Sequence, residues 1–176
     1  MRNNAIFGRK SAIMLKRLSF IAVSALLMTA SCKKSEEAVT YIGNGLLLNS
    51  NQVVPAPANP STAGGTLNAT YDKNNRTLSY SVTWSNTNDS VTAIRLHGPA
   101  EVGYAGPILQ AFANSVTAQT TPARRKSGSF SGSVSVDNLV VKEEDLLNDL
   151  YYVAVYTKAS GAAPELRGQV RVRRAD

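Results

Sequence analysis

The stretch Thr77-Leu78-Ser79-Tyr80-Ser81-Val82-Thr83-Trp84-Ser85 decides the fold class. Leu78, Tyr80, Val82 and Trp84 alternate with side chains that carry hydroxyls. Successive side chains of a β-strand point to opposite faces, so this period of two predicts a strand with one buried apolar face and one face of serines and threonines in water. Just upstream, Asp72-Lys73-Asn74-Asn75-Arg76 is built from residues that suit tight turns. Before that turn, Leu67, Ala69 and Tyr71 alternate in the same way, and residues 65–85 read as a hairpin.

Further strands follow outward from this hairpin. Tyr41–Leu48 precedes a segment holding Pro55, Pro57 and Pro60, which cannot donate ladder hydrogen bonds. Val91–His97 is stopped by Gly98-Pro99, and Ile108–Phe112 is short. Ser129–Val136 places Phe130, Val134 and Val136 on one side, and Tyr151–Thr157 and Glu165–Arg173 complete the set. Only Val141–Leu150 has helical spacing, with its acidic residues in the first half, where the helix dipole favours them. About eight short strands and one short helix predict an all-β, antiparallel sandwich or barrel spanning residues 41–176.

Charge is unevenly distributed. The chain has 176 residues and a formal net charge of +7, but Arg2, Arg9, Lys10, Lys16 and Arg17 lie in residues 1–31, which hold no acid. From Cys32 onward, 14 basic side chains face 12 acidic ones, so the folded part is nearly neutral and nucleic acid is not expected as a partner. One cysteine excludes an internal disulfide, and one histidine excludes a His-rich metal site. The triplet Arg124-Arg125-Lys126 lies in a polar, Pro-containing stretch with no interleaved aromatic residue and reads as a solvated loop.

The basic leader runs into the apolar stretch Leu18–Ala30, 13 residues long, where a membrane span needs about 20. Residues 1–31 therefore read as an export signal, with Met14 an alternative start. Thr29-Ala30-Ser31-Cys32 resembles the lipobox of bacterial lipoproteins, apart from Thr29 where an aliphatic residue is usual; that resemblance implies cleavage before Cys32 and acylation of its thiol. Two or three acyl chains anchor a protein stably where one does not. Residues 32–40 then form a polar tether. Lys33 is not the Asp of the inner-membrane retention signal of enteric bacteria, and Glu36-Glu37 resembles the surface-export signal of Bacteroidetes lipoproteins, which implies an outer-membrane location and surface exposure. Asp89-Ser90-Val91 resembles the short O-glycosylation site of exported proteins in that group.

Several spaced motifs together resemble the CHRD domain, a family named after the vertebrate protein chordin. They are Asn51-Gln52-Val53-Val54-Pro55, Gly64-Gly65, the strand ending at Trp84, Arg95-Leu96-His97-Gly98-Pro99-Ala100, Tyr152-Val153-Ala154-Val155-Tyr156-Thr157 and Glu165-Leu166-Arg167-Gly168-Gln169. They cover about residues 45–172. The resemblance implies an immunoglobulin-like sandwich distantly similar to superoxide dismutases, and no general activity. The family pattern places His at 95, 97 and 156, three imidazoles that suit copper or zinc if they converge. Here Arg95 and Tyr156 replace two of them, so the metal positions are degenerate, and neither a metal nor any other cofactor is expected. Arg95, His97, Glu101, Tyr156, Glu165 and Arg167 form a candidate polar binding patch, in which Glu165 and Arg167 pair with each other or with Arg95 and Glu101.

Three functions compete at this stage. The first is a noncatalytic, lipid-anchored envelope module that binds a protein or glycan. The second is a metal-binding or redox protein related to superoxide dismutases, its site degraded here. The third is a hydrolase using His97, for which no G-x-S-x-G elbow is present. The anchor has a direct check: Cys32→Ala should leave a slower-migrating precursor or a soluble, released form on membrane fractionation. Unchanged fractionation and unchanged intact mass would refute acylation.

Overall fold

The computed structural model describes residues 39–113 and 126–176. The leader, Cys32 and most of the tether, and Arg124-Arg125, lie outside them.

The elements, in chain order, are β1 (Thr40–Asn49), a 3-10 turn (Ser50–Gln52), β2 (Gly64–Asp72), β3 (Thr77–Ser85), β4 (Val91–His97), β5 (Ile108–Ala113), β6 (Gly128–Ser135), α1 (Glu143–Leu147), β7 (Tyr152–Thr157), β8 (Leu166–Gln169) and β9 (Arg173–Arg174). Eight strands form one antiparallel path in the order β5-β4-β7-β8-β1-β2-β3-β6, with β9 added beside β1. The path curls on itself. One hydrophobic cluster takes Leu67, Tyr71, Leu78, Val82 and Trp84 from one half of it and Ile94, Leu96, Val153, Val155 and Leu166 from the other. Two four-stranded leaves thus face each other across a shared core, the all-β sandwich predicted by the alternation.

The β2–β3 hairpin is set by its turn. The Asp72 carboxylate accepts from the Asn74 and Asn75 backbone N–H groups at 2.9 and 3.1 Å, and Arg76 takes the left-handed conformation (φ 49°). Leu78, Tyr80, Val82 and Trp84 are buried along β3, while Ser79 and Ser85 stay exposed.

The leaves meet at a seam where β1 and β8 share one paired position, Asn49 with Arg167. A Cβ on Gly168 would sit 2.7 Å from the Leu47 carbonyl oxygen, so only glycine lets the two backbones approach this closely. Two expectations need correction. Helical geometry is confined to Glu143–Leu147, because Asn148 leaves the helix and Asp149 turns left-handed (φ 60°), so Val141 and Leu150 fall outside it. The last expected strand is two pieces, Leu166–Gln169 paired to β7 and the short Arg173–Arg174 paired to β1. Among the described residues no helix is long and apolar enough to cross a membrane.

Trp84 is 3% exposed, and its indole Nε1 has no hydrogen-bond partner among the described residues. Removing a buried aromatic costs transfer free energy and leaves a cavity, so Trp84→Ala should lose about 3–5 kcal/mol in denaturant unfolding. Trp84→Phe should lose less, because it also removes an unsatisfied donor. The wild-type emission should be blue-shifted when folded; a fully exposed spectrum would show that the faces of β3 are reversed.

Candidate functional site

All six residues of β7, Tyr152–Thr157, are buried. Val153 and Val155 enter the central core, while Tyr152, Ala154 and Tyr156 form a second cluster with Ala93 on the outer side of the same leaf. That outer side is covered by the β4–β5 connection, residues 98–107. A Cβ on Gly98 (φ 142°) would strike the Tyr151 ring at 2.4 Å, so the chain leaves β4 along a path open only to glycine.

The covered face carries a ladder of flat groups. The Arg167 guanidinium carbon lies 3.7 Å over the Tyr152 ring, and the His97 ring stacks on Tyr152 at 4.9 Å between centroids. His97 also lies 6.1 Å from the Tyr156 ring, over which the Arg95 guanidinium sits at 4.5 Å. The order is Arg167, Tyr152, His97, Tyr156, Arg95. Guanidinium over an aromatic face is attractive, more so when partly desolvated.

Hydrogen bonds fix the tautomer of His97. Its Nδ1 is 3.0 Å from the Gly106 carbonyl, which only accepts, so Nδ1 carries the proton. Nε2 is then the acceptor, and the Tyr156 hydroxyl donates to it at 2.9 Å. The Tyr152 hydroxyl also donates to the Gly106 carbonyl at 3.2 Å and accepts from the Gly106 N–H at 3.0 Å. Burial lowers the His97 pKa below 6.5, and the Arg95 and Arg167 charges add to this, while the Gly106 bond opposes it. Burial raises the Tyr156 phenol above its ordinary value.

Four of the six patch residues meet here: Arg95, His97, Tyr156 and Arg167. Glu101 is exposed and supplies only its main-chain carbonyl, 3.3 Å from Arg167 Nη2. Arg167 Nη1 donates to the Tyr104 carbonyl at 2.7 Å, and Nη2 also reaches Gln169 Oε1 at 3.3 Å. Among the described residues Glu165 pairs with no arginine. Buried to 5% exposure, it accepts from the Ser61 hydroxyl (2.7 Å), the Asn88 N–H (2.8 Å) and the Thr157 hydroxyl (2.7 Å). The expected ion pairing is replaced by two separate networks. Strand alternation puts 165 and 167 on one face, but loop residues far away in sequence decide what each one meets.

Tyr152, Gln169 and Gly106 were missed by sequence reasoning. Gln169 Nε2 donates to the Ala100 and Asp149 carbonyls at 3.0 and 2.6 Å and so ties the cover to the leaf. The available signal was the unbroken run Tyr151–Thr157, since a strand without polar alternation is buried on both sides and needs a cover. Among the described residues, no three His, Cys, Asp or Glu side chains come together as a metal would need. Ser90 lies in the turn before β4, partly buried, its N–H bonded to Asp89 Oδ1 at 2.7 Å. Lys126 is exposed, and its carbonyl accepts from the Thr87 N–H at 3.0 Å.

Beside the ladder opens a cleft of about 350 Å³, whose floor includes His97, Tyr152, Tyr156 and Arg167 and whose rim includes Ala105 and Ala163. The model of the CHRD domain matches residues 46–170, which take in every strand from within β1 to the end of β8. The chain belongs to the CHRD family. The CHRD domain is in general a noncatalytic module. No curated protein and no solved structure matches the chain. The match spans the same stretch as the spaced motifs, and the Arg95–Ala100 and Tyr152–Thr157 segments of this CHRD domain form the two sides of the ladder.

His97 is the only histidine in the chain, so stability near pH 6 reports on it. Its folded pKa lies below 6.5, so folding favours the neutral ring. The associated stabilisation is complete above pH 6.5 and is lost as pH falls through the lower folded value. Tm should therefore fall between neutral pH and about pH 5, and His97→Gln should flatten that part of the profile. Asp137 and Glu143, whose carboxyls are held below their ordinary values by backbone N–H groups and by Lys73, contribute only at lower pH. An identical slope in wild type and His97→Gln would refute the assignment.

Proposed function

We propose that this CHRD protein is a noncatalytic module, held in the bacterial outer membrane by an acylated Cys32 and exposed at the cell surface, that binds a protein or glycan through the cleft beside the ladder. The observation carrying this reading is that each polar group on the floor already holds another. His97 has both ring nitrogens engaged, and the tyrosine beside it has a raised pKa, whereas a nucleophile or general base needs the opposite shift. Such a floor is preorganised for recognition. Its rigidity comes from side chains that hold backbone, and its opening is rimmed by small apolar residues that leave room for a ligand.

The metal and redox reading draws no support from the site, since Arg95 and Tyr156 bring a permanent cation and a protonated phenol to the positions beside His97. The test uses the full chain carrying Cys32→Ala, so that retention reports binding and not the lipid. Sedimented with cell envelopes of the source bacterium, it should be retained. Adding Ala105→Trp, which plugs the cleft from its exposed rim, should cut retention about tenfold. Retention that ignores Ala105→Trp would refute the cleft as the binding surface.

A further inference from the structure

Arg167 is 2% exposed, yet among the described residues no carboxylate stands against it. The two ion pairs found there, Lys73–Glu143 and Arg173–Asp149, lie elsewhere. Glu165, two positions earlier in the chain, is taken up by Ser61, Asn88 and Thr157. A buried cation without a counter-ion is costly, and two carbonyls, one amide oxygen and a tyrosine face compensate it only in part. A guanidinium has five N–H donors, and three bonds from it to the described residues account for three of them. Arg95, over Tyr156, adds a second positive charge to the same face, and His97 is held neutral. The cleft that reaches Arg167 is otherwise walled by small or apolar residues, among them Val54, Pro55, Ala162 and Pro164.

From this we propose that the cleft is a carboxylate site: it takes a monoanionic carboxylate carried on a small apolar body, with the carboxylate against Arg167 and the body against the Val54–Pro55 and 162–164 walls. The proposal rests on the reading above that the cleft is a binding site, and it names the chemistry of what enters it. Planar guanidinium suits a planar carboxylate, and about 350 Å³ accommodates an acid of a few carbons. Two sources share this chemistry, a free organic acid and the C-terminal residue of a peptide.

Calorimetric titration of the full chain in detergent separates them. N-acetyl-alanine serves as the peptide-terminus probe, isobutyrate as the free-acid probe and N-acetyl-alanine amide as the uncharged control. At least one acid should bind one to one, with the amide at least about tenfold weaker. Preference for N-acetyl-alanine assigns a peptide terminus, and preference for isobutyrate a free acid. Arg167→Gln should weaken the acid about tenfold or more, with blue-shifted Trp84 emission showing that the variant is folded. Should that variant unfold, Ala163→Phe blocks the cleft from its exposed rim with Arg167 intact and should abolish binding. No binding of either acid, equal binding of acid and amide, or acid binding indifferent to both variants would overturn the proposal. If the acids fail while Ala105→Trp still cuts envelope retention about tenfold, the carboxylate assignment falls and the binding reading stands.

Discussion

β7 has no face in water, and much of the molecule's organisation follows from that constraint. A strand buried on one side needs only a core; a strand buried on both sides also needs a cover. The cover here is largely loop, and loop backbone brings N–H and C=O groups that must be paired once they leave solvent. Tyr152 and His97 serve Gly106, Arg167 serves Glu101 and Tyr104, and Gln169 serves Ala100. The polar residues of the ladder are therefore the means by which a loop can lie on a sheet without stranding its own backbone.

The outcome for charge is unusual. Glu165 and Arg167 are separated by one residue and both are buried, yet each is solvated by its own set of dipoles. The acid collects two hydroxyls and an N–H; the base collects two carbonyls, an amide oxygen and a π face. Dipoles fixed by the fold can hold an ion in a low-dielectric setting, but they leave its net charge in place. The region around Arg167 thus keeps a positive charge that a direct Glu165 pair would have cancelled.

How much of this was legible in the sequence depended on which kind of burial was being written. In β3 one face is wet, so serines and threonines mark it, and Leu78 through Trp84 could be assigned to the core residue by residue. In β7 both faces are dry, and the run Tyr152–Thr157 carries no mark of which side is which. Strand alternation put Arg95 and His97 on one face, and the family resemblance added Tyr156 beside them. It could not give Gly106, whose place depends on the path of a loop, nor the partners of Glu165, since Ser61 lies 104 positions away. The helix was overestimated for a simpler reason: its apolar spacing continues past Leu147, but Asp149 adopts a left-handed backbone that ends it.

One detail of the strand ends has a mechanical meaning. The Ala175 N–H donates to the Thr40 carbonyl at 2.8 Å, so the first and last strands of the sheet finish side by side. A pull on residue 40 against residue 175 would open the two-residue β9 bridge like a zipper, one bond at a time, and leave the core unloaded. A pull on residue 40 against an object seated in the cleft would travel instead along β1 and across its seam with β8. The same domain would then yield easily to tension between residues 40 and 175 and resist tension between residue 40 and the cleft.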